Sequence, residues 1–336
     1  MILSWMLGAP YDNQKTKVAY RDNGELSVNL RHIQQFLAVA ETGSIRAAAR
    51  GLGLSQPAIT KAIRQLEREC GVPLIQRNTS GAVLTAFGHT FRARAQLIAG
   101  EARRAREELA QMTGAEAAAV AIGAAPSVAA LVIPAAIPAF LKSYPKALVR
   151  IVGGLPNTTI PRVCDGTLDF VVGPRPRSQI PSSLRAWPLF EMPMALTLRV
   201  GHRLSNARSL ADFADAEWIL TGAAAQPTSP LSLAFGELGL PPPHYRIQAE
   251  SFLAAQSLIA HGDFVGLMPR AMVEAGPNRD LLSFVEVPEI KTANSVELFY
   301  RPDPPLTPAA LNLAEHILRV ARTKARTLAT AERRRA

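Results

Sequence analysis

Hydrophobic residues between positions 44 and 68 repeat at helical spacing in two short runs. The inner face of the first run consists of Ile45, Ala48, Ala49 and Leu52. Ser44 precedes this run and has the side chain of a helix cap. The segment RGLGL then supplies two glycines, which allow the chain to turn sharply. This pattern predicts a short helix that ends in a tight turn.

The second run predicts a longer helix with one apolar and one polar face. Ser55 can cap it, and Pro57 falls in its first turn, where a missing N–H costs little. The apolar face consists of Ile59, Ile63 and Leu66. The residues left pointing outward are Gln56, Thr60, Lys61, Arg64 and Arg68. This layout is typical of a helix-turn-helix whose second helix enters the major groove, although an ordinary amphipathic hairpin shares it.

The flanking segments favour the helix-turn-helix. Before it, helical spacing links Ile33, Phe36, Leu37 and Ala40 and predicts a helix beneath the pair. After it, GVPLIQRNTSGAVLTAFG alternates short apolar runs with turn residues and predicts a two-stranded wing. We expect the tip of the wing near residues 78–81, with Arg77 at its base, within reach of a phosphate.

A long helix is predicted from a cap at Thr85 to about Met112. Its apolar side consists of Phe87, Phe91, Ile98, Ala102, Ala105, Leu109 and Met112. A module of roughly 85 residues cannot bury so long a stripe, so a partner is expected. The partner is either the next domain of the same chain or a second copy. We favour dimerisation, because a dimer also presents two recognition helices to paired half-sites.

Beyond residue 118, strand-like and helix-like runs alternate, which predicts an α/β domain with a mostly parallel sheet. The predicted strands lie in AVAIGAAP, ALVRIVGG, LDFVVGP, MALTLRV, EWILTG, YRIQAE, FVGLMPR and SVELFYR. The helices between them include LVIPAAIPAFLKSYP and PNTTIPRVCDG, and a last helix runs from about Pro308 to Thr327. The chain is thus expected to combine an all-α amino-terminal module with an α/β module.

The charge composition indicates that the chain binds a polyanionic partner. The 336 residues carry a net charge of +10 with a pI near 10.1, and residues 30–113 hold twelve Lys or Arg against six Glu. Cys70 and Cys164 are isolated from each other, which argues against a disulfide framework or a zinc ribbon. No apolar run is long enough to cross a membrane. Residues 1–27 are expected to be a disordered leader or an over-long start, and the basic residues of 319–336 a solvated tail or a DNA contact.

Residues 30–88 resemble the DNA-binding domain of LysR-type transcriptional regulators. The matching pieces are FLAVAETGSIRAAARGLGLSQPAITKAIRQLE, GVPLIQR and LTAFG, in the same order and spacing. Thr60, Ile75 and Phe87 depart mildly from the usual residues of the family. With the helix and wing patterns above, the resemblance implies DNA contacts from Ser44, Ser55, Gln56, Pro57, Thr60, Lys61, Arg64 and Arg77. Gln56 is expected to bind an adenine edge or a phosphate, and Thr60 to contact a thymine methyl group. Lys61, Arg64 and Arg77 are expected to bind the phosphate backbone.

The resemblance continues through VCDGTLDFVVG and GHRL. It implies an effector-binding domain of two α/β lobes, similar to periplasmic binding proteins. The expected bounds are 28–85 for the winged helix-turn-helix, 86–113 for the linker helix, 118–330 for the effector domain and 331–336 for a basic tail. One lobe is expected to comprise 118–193 and 294–330, and the other 194–293. The chain is expected to cross between lobes near 191–195 and 292–295.

A two-lobed α/β domain binds small molecules between its lobes, beyond the strand ends and against helix amino termini. The residues expected to face this cleft are Pro126, Ser127, Asn157, Thr158, Thr221, Gly222, Ser251, Phe252 and Phe264. His261, Gly262 and Asp263 precede the strand FVGLMP and are placed there too. Hydroxyls at helix amino termini suit a carboxylate, sulfonate or phosphate, and Phe252 or Phe264 suits an apolar ligand portion. Each residue on its own is equally compatible with plain helix capping.

The competing class is an α/β enzyme or solute-binding domain fused to a DNA-binding module. The chain contains no GxxxxGK[ST], GxGxxG, HExxH or GxSxG motif, and Asp165 and Asp169 flank a glycine turn. We therefore expect a regulator without catalytic residues, cofactor or metal. Its expected partners are double-stranded DNA, a small anionic effector, RNA polymerase and further copies of itself, as a homodimer or homotetramer in the cytoplasm.

Overall fold

The computed structural model describes residues 28–78, 81–113, 118–221, 229–290 and 293–333. The chain divides into two compact units between Arg103 and Arg104. The predicted leader (1–27), the expected cleft residue Gly222 and residues 334–336 lie outside the described ranges. Within those ranges, no helix combines the length and the apolar composition that a membrane crossing requires.

Three helices form the core of the amino-terminal unit, and they are α1 (Leu30–Thr42), α2 (Ile45–Gly51) and α3 (Gln56–Cys70). Each helix is preceded by a capping residue, Asn29, Ser44 or Ser55, whose side chain accepts a backbone N–H of the first turn. Caps of this kind stabilise a helix by about 1 kcal/mol. The helices bury a common core that includes Ile33, Phe36, Val39, Ile45, Ala48, Ala49, Ile59, Ile63 and Leu66.

The turn between α2 and α3 differs in detail from the prediction. Helix α2 continues through Gly51, and it is Gly53 that adopts a positive φ of 64°. That left-handed conformation is readily available to glycine alone. Leu52, which was expected on the inner face of the first helix, is 42% exposed. It lies just after the end of α2, where the chain has already begun to turn away from the core.

The predicted wing is present as strands β1 (Ile75–Asn78) and β2 (Gly81–Leu84), which pair antiparallel. Two contacts hold it against the helices. The carboxylate of Glu67 on α3 accepts the backbone N–H groups of Leu74 and Ile75, at 2.8 and 3.0 Å. The N–H of Ala82 donates to the carbonyl of Gly43, at the end of α1, at 2.9 Å. The position of the wing is thus tied to α1 and α3.

The predicted long helix is α4 (Ala86–Thr113). The hydroxyl of Thr85 accepts the N–H of Gly88 at 2.9 Å and donates to the carbonyl of Pro73 at 2.7 Å. Thr85 therefore caps α4, as its sequence context predicts, and also joins it to the segment before the wing. Large apolar residues remain exposed along α4, namely Phe87, Ile98 and Leu109.

The described residues of the carboxy-terminal unit form nine strands. They are β3 (Ala119–Ala124), β4 (Leu148–Gly153), β5 (Phe170–Pro174), β6 (Arg185–Arg199), β7 (Glu217–Thr221), β8 (Tyr245–Ala249), β9 (Phe264–Pro269), β10 (Leu282–Val285) and β11 (Ala293–Tyr300). The order is β4-β3-β5-β11-β6-β9-β7-β8, and β10 also pairs with β6. Two parallel groups, β4-β3-β5 and β8-β7-β9, flank antiparallel strands. The expectation of a mostly parallel sheet was therefore too simple, because β6 and β11 join the groups antiparallel.

Strand β6 connects the two lobes. Its residues 185–193 pair with β11 in the first lobe, and Met194–Thr197 pair with β9 in the second. The change of partner at Pro193 and Met194 falls where the first crossing is expected. The prediction had placed only the second half of this strand, MALTLRV.

Helices cover both faces of the sheet, and they are α5 (Pro126–Leu131), α6 (Ile133–Ser143), α7 (Pro156–Cys164), α8 (Pro230–Glu237), α9 (Phe252–His261), α10 (Arg270–Glu274) and α11 (Pro308–Arg333). In the first lobe, α6 and α11 cover one face and α7 the other. The helix expected through LVIPAAIPAFLKSYP begins earlier, at Pro126, and is divided into α5 and α6. The last helix runs to Arg333, so the prediction of its end near Thr327 and of a tail from 331 was too early.

Candidate functional site

Helix α3 presents unengaged polar side chains on its outer face. Gln56, Lys61 and Arg64 are exposed, whereas Ile59 and Ile63 on the opposite face are buried. Among the described residues, these three polar side chains form no hydrogen bond or ion pair. Their donors and acceptors are therefore available to an external ligand.

The carboxy-terminal half of α3 is engaged internally. Arg68 donates to the side-chain oxygen of Gln65, and the amide nitrogen of Gln65 donates to Glu69 at 2.8 Å. Glu67 binds the segment that enters the wing. The available side chains thus lie between Gln56 and Arg64, toward the amino-terminal end of α3, which is the part of a recognition helix that contacts base edges.

The other residues expected to contact DNA also have structural roles. The hydroxyls of Ser44 and Ser55 accept the N–H groups of Ala47 and Ala58, each at 3.3 Å. Pro57 is exposed in the first turn of α3, and Thr60 is half-buried with a partner of its own. The two serines can still donate a hydroxyl hydrogen outward. Their first role in the structure is to set where α2 and α3 begin.

Arg77 lies on strand β1, opposite Ala82 and one residue before the end of the strand. The structure therefore places its backbone in the wing, as expected. Its phosphate contact remains a prediction.

In the first lobe, Ser127 lies at the edge of the sheet where the parallel strands β3, β4 and β5 end. It belongs to the first turn of α5, directly after β3, and is 7% exposed. The N–H of Ala125 is already used, since it donates to the carbonyl of Val172 on β5 at 2.9 Å. The hydroxyl of Ser127 makes no hydrogen bond to any described residue. A buried hydroxyl at a strand end, next to Pro126, is a suitable group for orienting a ligand.

Asn157 and Thr158 lie in the first turn of α7, after β4, and both are exposed. The hydroxyl of Thr158 donates to the carbonyl of Leu155 at 2.8 Å, so it remains available only as an acceptor. The amide of Asn157 makes no hydrogen bond within the described part of the chain. Strand β4 is parallel to β3, so α5 and α7 begin at the same edge of the sheet.

In the second lobe, Thr221, Ser251 and Phe252 lie at the corresponding edge. Thr221 ends β7, and the other two residues follow β8, which is parallel to β7. The hydroxyl of Ser251 caps α9 by accepting the N–H of Ala254 at 3.3 Å. The ring of Phe252 is partly buried against the core between α9 and the sheet. Helix α10, which follows β9 at this edge, contacts α5 of the first lobe.

Phe264 is not brought to this edge. It begins β9 and pairs with Glu217, the first residue of β7, so it lies about 13 Å from the end of β7 at Thr221. Its neighbour Asp263 binds Arg199 at 2.6 Å, and that hydrogen bond and charge lower the pKa of the Asp263 carboxyl. The segment His261–Asp263 therefore lies at the end of the second lobe away from the expected cleft, where it was not predicted to be.

Sequence patterns missed an arginine beside the cleft edge of the first lobe. Arg175 follows β5, and its Nη1 lies 3.0 and 2.9 Å from the two carboxylate oxygens of Glu297 on β11. The side chain of Glu297 is 4% exposed, whereas that of Arg175 is 55% exposed. The buried carboxylate thus fixes one nitrogen of the guanidinium, and the exposed remainder can bind an anion. The two residues are 122 positions apart, so no local motif marks them.

A second missed arginine, Arg270, begins α10 at the cleft edge of the second lobe. It binds Glu274 at 3.1 Å and Glu286 at 2.7 Å, and its guanidinium stacks over Phe284 at 4.5 Å. It also lines a cavity of about 360 Å³ with Ser205, Asn206, Ala207, Arg208, Phe284, Val285 and Glu286. In the described ranges, no group of His, Cys, Asp or Glu is arranged to hold a metal ion.

Comparison with known proteins agrees with this architecture. Residues 30–89 match the family model described as bacterial regulatory helix-turn-helix protein, lysR family, and residues 113–322 match the LysR substrate binding domain. The chain is 26% identical over 286 residues to the HTH-type transcriptional regulator GbpR of Azospirillum brasilense, covering 84% of each chain.

Solved structures share the fold. The crystal structure of CbnR, a LysR family transcriptional regulator, has a TM-score of 0.63 and 24% identity, and covers 87% of this chain and 99% of its own. The structure of full-length CbnR complexed with its target DNA has a TM-score of 0.61 and covers the same fractions of the two chains, 87% and 99%. The two family models together cover most of the sequence, and the relatives are regulators rather than enzymes. This chain belongs to the LysR family of DNA-binding transcriptional regulators.

Proposed function

We propose that this regulator recognises its operator through the amino-terminal part of α3 and responds to a small anionic effector in the cleft of the carboxy-terminal unit. The proposed base-edge contacts are Gln56 and Thr60, and the proposed phosphate contacts are Lys61, Arg64 and Arg77. Ser44, Ser55 and Pro57 support these contacts from the helix ends. The exposed and unengaged side chains of Gln56, Lys61 and Arg64 support this division.

The effector is proposed to be a carboxylate or sulfonate, with an aromatic acid as the narrower form. Ser127 and Arg175 carry this proposal, because an unbonded buried hydroxyl and a partly fixed guanidinium follow adjacent strands of the first lobe. Asn157, Thr158, Thr221, Gly222 and Ser251 complete the polar lining, and Phe252 contacts the apolar part. Phe264 is left out of this proposal because of its position on β9.

Self-association is proposed to run through α4. Ile98 and Leu109, both on the apolar side that the sequence pattern assigns to this helix, are 49% and 63% exposed. Packing two copies of α4 together covers these residues and forms a homodimer, and pairs of dimers form a tetramer. We also propose the domain bounds 28–85, 86–113 and 118–330, and a cytoplasmic protein that contacts RNA polymerase.

The effector acts, in this proposal, by favouring one arrangement of the two lobes over another. Its differential affinity sets the coupling, which is typically about 1–3 kcal/mol in such switches. The experiment is footprinting on the DNA upstream of the regulator's own gene, with and without aromatic carboxylates and sulfonates. We expect protection in both cases and a changed footprint or DNA bend with one class of acid. An unchanged footprint and bend at saturating concentrations of a ligand that binds the protein would reject the switch.

A further inference from the structure

Two segments carry the basic charge of this chain, residues 30–113, with twelve Lys or Arg against six Glu, and the carboxy-terminal end. Residues 319–336 hold seven Lys or Arg and one Glu, which gives +6 of the total net charge of +10. Residues 114–318 hold 15 Lys or Arg and 17 Asp or Glu, a net charge of −2. The carboxy-terminal unit is therefore slightly acidic until the last turns of α11, where the sign reverses.

Helix α11 changes its surroundings along its length. Up to Ala321, one side of the helix is buried in the first lobe through Ala310, Leu313 and Ile317. From 322 to 327, no residue of α11 is buried. Arg319, Arg322 and Arg326 are exposed. Ala325 still packs against the core of the first lobe, while Arg322 and Arg326 on either side of it are exposed.

The arginines in the last turns of α11 share one side of the helix. Positions 319, 322, 326 and 333 are separated by three, four and seven residues. At about 100° per residue they fall within roughly 60° of one another, and they span about 21 Å along the helix axis. We call Arg319, Arg322, Arg326 and Arg333 the α11 stripe. Arginines at positions along one side of a helix suit the repeated phosphates of a nucleic-acid backbone.

The composition of the last turns of α11 argues against an anionic membrane as their partner. Membrane-surface helices combine a basic face with several Trp, Phe or Leu residues on the other. Between 322 and 333, Leu328 is the one large apolar residue, and the others are Arg, Lys, Thr, Ala and Glu. Such a helix has almost no apolar area to insert among lipids.

We propose that the α11 stripe is a second DNA-binding element, which contacts backbone phosphates of duplex DNA. Phosphate contacts carry no base information, so the stripe raises affinity for all sequences and leaves the choice of operator to α3. It also makes the affinity of the full chain more dependent on salt, because each neutralised phosphate releases a counterion. This role is separate from effector binding and from the contacts of the wing.

The test compares the full-length wild type with the variant R322Q/R326Q/R333Q on a mixed-sequence duplex. Binding is measured by fluorescence anisotropy between about 50 and 200 mM salt. Three lost phosphate contacts reduce the slope of log K against log salt by about 2.7, at roughly 0.9 per contact. The matched control is K142Q/K146Q/R177Q, which removes the same charge from exposed positions of the first lobe. We expect the wild-type slope from the control.

The variant R322K/R326K/R333K preserves charge and should keep the wild-type slope. Circular dichroism monitors whether each variant keeps its helix content. An unchanged slope for the glutamine stripe variant would overturn the proposal, as would an equal reduction in the control. Stripe-dependent binding to phosphatidylserine vesicles, stronger than to DNA at the same salt, would also overturn it and identify a membrane role instead.

Discussion

Arg104 on α4 and Asp169, the residue before β5, form a buried ion pair. Nε of Arg104 lies 3.7 Å from Oδ1 of Asp169, and the two side chains are 7% and 3% exposed. The other carboxylate oxygen accepts the N–H of Ala121 at 2.7 Å, and Nη2 of Arg104 donates to the carbonyl of Leu168 at 2.9 Å. The end of α4 within the carboxy-terminal unit is thus bonded to the two residues before β5, and the carboxylate of Asp169 joins these residues to β3.

Replacing Arg104 is expected to destabilise the carboxy-terminal unit. Arg104→Met leaves the carboxylate of Asp169 buried without its cation, which costs about 3–5 kcal/mol of unfolding free energy. Urea unfolding measures the loss, and the double variant R104M/D169N should recover a large part of it. The control is Arg106→Met on the exposed side of the same helix, expected within about 0.5 kcal/mol of wild type. Equal effects at the two positions would show that the pair is not a major contact.

Two glycine substitutions should change stability in opposite directions. A Cβ on Gly88 would lie 2.0 Å from the carbonyl oxygen of Leu74, whereas one on Gly51 meets nothing within 4 Å. Gly88→Ala must displace α4 from the segment before the wing, at a cost of about 1–3 kcal/mol. Gly51→Ala keeps a helical residue and should stabilise by roughly 0.5–1 kcal/mol. Thermal unfolding of the two variants shows whether each substitution raises or lowers stability. A stabilising effect of Gly88→Ala would contradict the close approach of Gly88 to the Leu74 carbonyl.

Gln56 and Arg77 should affect DNA binding in different ways. Gln56→Ala removes a proposed base contact and should reduce operator preference by about 1–3 kcal/mol at the position read, with little change in salt slope. Arg77→Ala should weaken binding to all DNA sequences alike. It should also lower the slope of log K against log salt by about one. Titrations of operator and mixed-sequence duplexes across a salt series separate the two. A loss confined to the cognate site at unchanged slope would remove Arg77 from the phosphate contacts.

Effector binding should depend on Ser127 and Arg175. Ser127→Ala removes a hydroxyl that makes no bond to the described residues, so folding should be almost unaffected while effector affinity falls about three- to tenfold. Arg175→Lys keeps a cation for the buried Glu297 but loses the planar guanidinium, and should cost about 1.5–3 kcal/mol of binding.

Isothermal titration of the acid identified by footprinting measures both effects. The control is Arg177→Lys, two positions further along the same exposed segment. Wild-type affinity in Ser127→Ala and Arg175→Lys, with a footprint that still responds, would place the effector elsewhere.

Asp212 should contribute to the acid sensitivity of the second lobe. Its carboxylate accepts the N–H groups of Arg208 and Ser209, at 2.8 and 3.1 Å, and these bonds lower its pKa below the ordinary 3.8. A carboxyl with a lowered pKa stabilises the fold above pH 3.8 and loses that contribution as the pH falls through the folded-state value. The stability of Asp212→Asn should therefore decline less steeply with acid than that of wild type. Urea midpoints from neutral pH down to about pH 3 test this, and parallel declines would contradict it.

The amino-terminal unit follows closely from local sequence. Ser44, Ser55 and Thr85 are capping residues placed before periodic apolar runs, and each forms the predicted cap. Helix boundaries of this kind depend on neighbours within four residues, so they are visible in one sequence. Leu52 was misplaced because one apolar residue at the end of a periodic run has the same spacing in a helix and in the turn after it.

The effector cleft depends on strand register and on distant pairs. Phe264 was expected at the cleft as a large apolar residue beside a strand end, but it begins β9, which is parallel to β7, so it lies at the edge opposite the carboxyl ends of these strands. Arg175 was missed because its partner Glu297 lies on a strand far along the chain. The first half of β6 was missed because Pro188 and Pro193 interrupt its apolar pattern. In the structure, Pro188 pairs with Glu297 beside a register shift, where Leu189 of β6 has no partner on β11; a proline in a strand is commonly found at such an irregularity.

Strand β6 also restricts how the two lobes can move. It is one continuous strand of 15 residues, about 50 Å long, and it pairs with β11 in one lobe and with β9 and β10 in the other. Sliding one lobe past the other would shift every paired residue on one half of the strand. Twisting the strand where its partner changes, at Pro193 and Met194, breaks none of these pairs. The shared strand therefore opposes translation of one lobe along the other more strongly than rotation about its axis. An effector that acts by moving the lobes is expected to change the angle between them rather than their separation.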